Sequence, residues 1–226
     1  MSDYTTPAKV RATMVSTVAG ADETVLERLI TSASRQIDHY CNRKDGFIAL
    51  SVATAREFAG TDEATMLIDE CVAITLVESK EATDTSWTSW ASTDWKAFSG
   101  DRRYPNFNGL PYHGLMCLPS GTKTYFPRGI GRERVGFRRY LDDDSATRQW
   151  AAPTVRVTAK WGYAVAVPDD VETACIIQVA RQFKRGQSAF QDATAGPDMG
   201  TLMYRKGLDP EVQSILKDGR YVRPRV

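Results

Sequence analysis

Residues 22–43, DETVLERLITSASRQIDHYCNR, carry the clearest helical periodicity in the chain. At 100° per residue, the apolar side chains of this segment fall within one arc of about 160°, as in a helix that packs one face on a core. Asp22 is the predicted N-cap. The arc contains Val25, Leu26, Leu29, Ile30, Ala33, Ile37, Tyr40 and Cys41. The segment therefore predicts a long helix in an α-helical frame, preceded by a short helical piece over residues 6–14.

Between residue 46 and about residue 153 the helical periodicity is absent. Short alternating apolar runs are separated by Gly and Pro, which is typical of strands and turns. Strands are predicted over residues 55–58, 66–69, 72–78, 115–118 and 123–126, and within TVRVTAKWGY at residues 154–163. Residues 87–112 contain no assignable pattern. The middle of the chain is therefore predicted to be a β-rich insertion.

Helical patterns return after the last of these strands. A helix is predicted over residues 171–185, because Asp169 and Glu172 form a D-x-x-E variant of the capping box and a glycine follows the helix. A third, shorter helix is predicted to begin at the N-cap Asp209 and to end at Gly219. The residues beyond it contain no helical pattern and are basic, so they are interpreted as a tail.

These patterns predict an α+β fold with three parts. Residues 1–45 and 153–218 form a small helical bundle, residues 46–152 form the β-rich insertion, and residues 219–226 form an extended C-terminal tail. The first half of the helix over residues 171–185 is apolar nearly all round, so something besides its own core should cover part of it, and a neighbouring subunit is one candidate. The residues predicted for this subunit interface are Val171, Ala174, Ile177 and Arg181.

Bulk composition excludes several classes of protein. The 29 basic and 28 acidic side chains nearly cancel, so the chain lacks the overall positive field that nucleic-acid binders use. The four cysteines form no CxxC pair, which indicates reduced cysteines in a cytosolic protein. The sequence has no signal-peptide pattern and no apolar run long enough to cross a bilayer, so no membrane role is expected.

Two acidic clusters and one arginine cluster are the candidates for chemistry. The cluster at Asp169, Asp170 and Glu172 is interpreted as a helix start, since carboxylates stabilise the positive end of a helix, and the alternative is a catalytic acid pair. The run at residues 142–144 is interpreted as a solvated turn, with a divalent-metal site as the alternative. The arginine cluster is either a solvated ribbon face or a contact to DNA or a neighbouring protein. It contains Arg132, Arg134, Arg138 and Arg139. No catalytic residue, metal site or cofactor is predicted.

The order of these parts resembles the head-to-tail connector, or adaptor, proteins of long-tailed bacteriophages and prophages. The resemblance rests on the phrases ITSASRQIDHYCNR, VRVTAKWGYAVAVPDDVETACIIQVARQFKRG and LDPEVQSILKDGRYVRPRV. These phrases lie within residues 6–45 and 153–226, which make up about half of the chain. The resemblance implies a virion structural protein rather than an enzyme, made in the host cytoplasm and located in the neck between head and tail.

The resemblance further implies a ring of about twelve copies that joins the portal protein to a stopper or tail-completion protein. DNA would pass through the lumen of this ring without sequence-specific binding, and no membrane would be involved. The residues that would reach the portal are Arg220, Tyr221, Val222, Arg223, Pro224 and Arg225. Two alternatives stay open. One is a stopper or tail-completion protein dominated by β-structure, and the other is a metal-dependent nuclease that uses the acidic clusters.

Overall fold

A computed structural model describes residues 2–13, 22–101, 103–134, 147–187, 193–196, 200–203 and 207–223. The chain divides into two compact units. The helical unit comprises Met1–Ile48 and Ala166–Val226, and the sheet unit comprises Ala49–Val165. The predicted α+β class is confirmed, because the described residues contain four helices and an antiparallel sheet of seven strands. The boundary at residue 153 differs from the prediction, since the strand that follows it belongs to the sheet unit.

The sheet unit is built from antiparallel strands. The strands are β1 (Thr54–Phe58), β2 (Thr65–Ser79), β3 (Thr88–Ser89), β4 (Trp95–Asp101), β5 (Tyr104–Asn106), β6 (Tyr112–Cys117), β7 (Ile130–Arg134), β8 (Thr147–Ala151) and β9 (Val155–Trp161). Their order in the main sheet is β1-β9-β2-β6-β4-β5, with β3 paired to β2, and β7 and β8 form a separate two-stranded sheet. The separately predicted strands at residues 66–69 and 72–78 are parts of the single strand β2. The predicted strands at residues 55–58 and 115–118 correspond to β1 and β6, whereas the strand predicted at residues 123–126 is wrong, because these residues form no strand.

Strand β9 lies inside the sheet, between β1 and β2. Its alternate side chains are fully buried, whereas those between them are partly exposed, as expected for a strand with one face on a core. The buried set is Val155, Val157, Ala159 and Trp161. The indole nitrogen of Trp161 donates a hydrogen bond of 2.8 Å to the Thr54 carbonyl of β1, so the largest core side chain also has its polar group satisfied.

The helical unit contains α1 (Pro7–Thr13), α2 (Glu23–Tyr40), α3 (Asp169–Gln187) and α4 (Pro210–Asp218), together with the hairpin of β10 (Ala193–Gly196) and β11 (Gly200–Met203). The predicted N-caps Asp22 and Asp209 are confirmed. The Asp22 carboxylate accepts from the Thr24 amide at 2.9 Å, and the Asp209 carboxylate accepts from the Glu211 amide at 2.8 Å. Helix α3 packs against each of the other three helices and so holds the N-terminal and C-terminal parts of the unit together.

Candidate interaction site at the C-terminal segment

The residues that follow α4 fold back onto the helical unit. The Tyr221 side chain is buried, with 9% of its surface exposed. Its ring meets Phe47 edge to face, with 5.5 Å between the ring centroids, and its amide donates to the Leu216 carbonyl at 3.0 Å. The extended tail predicted for residues 219–226 is therefore replaced, over residues 219–223, by a docked segment. The large apolar area of the Tyr221 ring favours this arrangement, because packing against Phe47 removes the ring from water.

The reversal of the chain depends on Gly219 and Arg220. Gly219 ends α4, and its amide donates to the Ile215 carbonyl at 3.0 Å. Arg220 then adopts a left-handed conformation with φ of 56°, which is unusual for a residue with a side chain. A Cβ atom on Gly219 would lie 2.3 Å from the Tyr221 ring. Glycine at this position therefore leaves the space that the ring occupies.

We expect the Gly219→Ala substitution to destabilise the helical unit by about 1–2 kcal/mol, because the added methyl group forces the Tyr221 ring to move. Hydrogen exchange of the amides in α4 measures the loss. Lys217→Ala, an exposed change on the same helix, is the matched control and should change stability by less than about 0.5 kcal/mol. In a Tyr221→Ala background the effect of Gly219→Ala should disappear, and an undiminished effect there would contradict the proposed steric cause.

The docked segment is held by its own Tyr221 side chain and by three side chains outside it. We call these four residues the tail anchor: Tyr4, Arg43, Phe47 and Tyr221. Phe47 lies between the two tyrosines and also packs edge to face on Tyr4, with 5.6 Å between centroids. The Arg43 guanidinium lies over the Phe47 ring at 4.8 Å, and its Nε donates to the Tyr221 carbonyl at 3.1 Å. The Arg223 amide donates to the Cys41 carbonyl at 3.1 Å. The segment is thus fixed through both side chains and backbone.

Tyr4, one of the tail-anchor residues, belongs to a buried polar cluster. The Tyr4 hydroxyl donates to the Asp38 carboxylate and accepts from the Phe47 amide at 2.9 Å, while Arg35 pairs with Asp38 at 3.1 Å. Burial, followed by the bond to Asp38, raises the pKa of Tyr4 well above its ordinary value. Burial also raises the pKa of Asp38, because it outweighs the opposing effects of Tyr4 and Arg35. At neutral pH the Tyr4 hydroxyl therefore keeps its proton and acts as a donor.

The six residues predicted to bind the portal have different environments. Tyr221 is buried in the anchor, Arg220 is exposed, and Val222 and Arg223 are half-buried. Pro224 and Arg225 lie outside the described residues. Among the four described residues of this set, Arg220 has the side chain that is most accessible to a partner, whereas the Tyr221 side chain stabilises the subunit itself.

The predicted subunit interface on α3 differs in the structure. Val171 and Ala174 are fully buried within the helical unit, and Ile177 is half-buried. Helix α3 packs against α1, α2 and α4, so its broad apolar surface is covered by helices of its own chain. An apolar sequence pattern indicates that a side chain is buried, but it does not indicate whether the same chain or a neighbouring subunit buries it. Val171 and Ala174 therefore have no accessible surface to offer a neighbouring subunit.

Arg181 also has its partner within the subunit. It forms an ion pair with Asp209, whose side chain is 1% exposed. Gln178 accepts from the Asp209 amide at 3.1 Å, and the Gln36 side-chain oxygen accepts from Gln178 at 3.0 Å and from Gln182 at 3.1 Å. These contacts surround a polar pocket of about 100 Å³. The network links α2, α3 and the N-cap of α4, so Arg181 contributes to the assembly of the helical unit.

The acidic cluster at the start of α3 holds two neighbouring elements. The helix begins at Asp169, two residues before the predicted start, and the Glu172 amide donates to the Pro168 carbonyl at 3.0 Å. Asp169 is therefore the first helical residue, and Pro168 takes the N-cap position that the predicted capping box gave to Asp169. Glu172 forms an ion pair of 2.7 Å with Lys9 of α1, and Asp170 accepts from the Tyr221 hydroxyl at 3.4 Å. The cluster thus stabilises the first turn of α3 and contacts both α1 and the segment that follows α4.

The remaining candidates for chemistry are placed as follows. The acidic run at residues 142–144 lies outside the described residues, as do Arg138 and Arg139, while Arg132 and Arg134 belong to β7. Within the described part of the chain, no group of three or more His, Cys, Asp or Glu residues is arranged to hold a metal ion.

The four cysteines are free and buried. Burial raises the pKa of the Cys41, Cys71 and Cys175 thiols to about 12 and that of Cys117 to about 11. At neutral pH these thiols therefore remain protonated, and they act as small core side chains.

No protein-family model matches the chain, and no curated protein matches it either. Among the helices in the described ranges, none has both the length and the apolar character that crossing a bilayer would require.

Proposed function

We propose that this protein is a structural component of the phage neck, a head-to-tail connector that joins the portal protein to a stopper or tail-completion protein. In this proposal the helices form a small bundle, which is the body of each subunit. About twelve copies form a ring around the DNA exit channel. The nearly equal numbers of basic and acidic side chains suit a lumen through which DNA slides without being held.

The observation that carries the proposal is the tail anchor. Residues 221 and 223 are fixed beside the end of α2 by Arg43 and by the Cys41 carbonyl. A binding segment that leaves a subunit from a fixed point loses less conformational entropy on docking than a free tail does. Residues 224–226 span at most about 11 Å. The portal surface that they contact should therefore lie within this distance of Arg223, whose amide is bonded to the Cys41 carbonyl.

The connector assignment is supported over the stopper assignment by the helical unit. A stopper or tail-completion protein is expected to be dominated by β-structure. Here, the three other described helices, from the two ends of the sequence, pack around α3, and the residues of the sheet unit lie between α2 and α3 in the sequence. The phrases that resemble the connector family contribute α2, α3 and α4 of this helical unit.

Deletion of residues 224–226 tests the proposal, because it removes the end of the tail and leaves the anchor in place. We expect this variant to retain the hydrogen-exchange protection of the wild-type helical unit and to lose binding to portal rings from the same phage. Sedimentation of mixtures measures the binding. Deletion of residues 219–226 is less informative, since it also removes Tyr221 and destabilises the subunit. Wild-type binding by the 224–226 deletion would contradict the role of the tail.

A further inference from the structure

An open groove runs along the last two turns of α2. It has a volume of about 610 Å³ and lies between α2 and the residues around the start of α4. Its walls include the half-buried apolar side chains Tyr40 and Leu208, while Gln36 contributes polar surface. Arg35 and His39, one helical turn apart, form one edge of the groove. Two helices that flank an open apolar groove provide the geometry that accepts an amphipathic helix.

A basic pocket lies on the other side of this edge. Its volume is about 320 Å³, and Arg35 and His39 line it as well as the groove. It also includes Arg43 and the exposed Lys44. The groove and the pocket therefore form one continuous surface, which we call the α2 surface.

The basic pocket carries an excess of positive charge. Three cationic side chains, Arg35, Arg43 and Lys44, line it together with one carboxylate, that of Asp38. Arg35 pairs with Asp38, and Arg43 is 5% exposed and bonded to the Tyr221 carbonyl. The exposed Lys44 is therefore the main cation that the lining presents to a partner. The C-terminal end of a helix contributes about half a negative charge. This contribution neutralises only a fraction of the cationic excess.

We propose that the α2 surface binds an amphipathic, acidic helix of a partner protein. The apolar side of that helix would fill the groove beside Tyr40 and Leu208. Its carboxylates would face Lys44 and the edge formed by Arg35 and His39. The inference goes beyond the connector assignment, because it rests on the apolar groove and the adjoining charge and requires neither portal binding nor a ring.

A protein helix fits this surface better than DNA does. Phosphate backbones bind to cationic side chains and leave an apolar groove unfilled. Here, the groove has about twice the volume of the basic pocket. Burial of its apolar walls supplies affinity, and the adjoining charges select the sign of the partner.

The test uses the full chain and a designed probe, a fluorescent helical peptide of about 18 residues, or five turns, with leucines on one face and glutamates on the other. Fluorescence anisotropy measures binding, and amide chemical shifts locate it. We expect binding with shifts confined to residues 32–44 and 207–213. The same peptide with lysine in place of glutamate should bind at least about tenfold more weakly.

Two substitutions and one control complete the test. Lys44→Glu removes a cation from the pocket, and Ser32→Glu places a negative charge at the groove. Each should weaken binding of the glutamate peptide by about threefold to tenfold. Lys96→Glu is the matched control, since it makes the same charge change at an exposed position of β4 in the sheet unit, and it should leave binding unchanged.

Four results would overturn the proposal: no binding of the glutamate peptide, equal binding of the lysine peptide, an equal loss in Lys96→Glu, or displacement of the peptide by duplex DNA at a comparable concentration. The peptide experiment requires no portal protein. Its failure is therefore distinguishable from failure of the connector assignment.

Discussion

Tyr221→Ala should lower the free energy of unfolding of the helical unit by about 3 kcal/mol, the usual cost of removing a buried aromatic ring. The ring packs edge to face on Phe47 and fills the space left by Gly219. Its loss creates a cavity at the end of α4, and Arg220 then keeps a left-handed conformation with no packed ring to compensate for it. Hydrogen exchange read by mass spectrometry measures the change separately in the two units.

Tyr221→Phe is the matched control for this experiment. It keeps the ring and removes only the long hydrogen bond of 3.4 Å to Asp170. We expect it to cost less than about 0.5 kcal/mol, because so long a bond is weak. Equal protection losses in the Phe and Ala variants would show that the hydroxyl, rather than ring packing, holds the segment. Protection in the sheet unit should be unchanged in both variants.

Asp209→Ala should destabilise the helical unit by about 2–3 kcal/mol. The substitution removes the N-cap of α4, worth about 1 kcal/mol. It also removes the partner of Arg181, and loss of a partner from an ion pair is costly where one member is buried. Asp209 is the buried member, with 1% of its side chain exposed, whereas Arg181 is 54% exposed and returns to water. The effect should therefore stay below that of breaking a fully buried pair.

Asp209→Asn separates the two contributions. The amide oxygen can still accept from the Glu211 amide, as Oδ1 does now at 2.8 Å, but the charge that pairs with Arg181 is lost. We expect the Asn variant to lie between wild type and Ala in the hydrogen-exchange protection of α4. An Asn variant as unstable as the Ala variant would assign the whole effect to the ion pair and contradict a role for the cap.

Local signals in the sequence predicted the starts of α2 and α4 correctly, whereas α3 begins at Asp169, two residues before its predicted start. Asp22 and Asp209 cap their own helices through amides two residues away, so the relevant interaction is contained in a few adjacent residues. The alternation in β9 was equally informative, because one face of that strand meets the core and the other does not. The α+β class follows from these two kinds of pattern.

Strand β2 shows why the strand predictions were incomplete. Its pairing shifts register between Leu67 and Cys71 against β6, and again between Cys71 and Ala73 and between Ile74 and Leu76 against β9. Each shift interrupts the two-residue period of side-chain burial. The sequence pattern therefore predicts two short strands where the backbone forms one.

The tail anchor could not be predicted from local patterns. Arg43 and Tyr221 are separated by 178 positions, and Tyr4 and Phe47 by 43. A lone tyrosine after a helix-ending glycine is compatible with both a free tail and a docked one. The apolar surface of α3 was likewise recognised in the sequence, but the helices that cover it are distant in sequence. These contacts required the tertiary structure.

The most direct test of the connector assignment is cryo-electron microscopy of the purified chain mixed with portal rings from the same phage. The assignment predicts a ring of about twelve copies stacked coaxially on the portal. It also predicts density for residues 224–226 entering the portal within about 11 Å of Arg223. Portal rings that remain bare at saturating concentrations of the chain would contradict it.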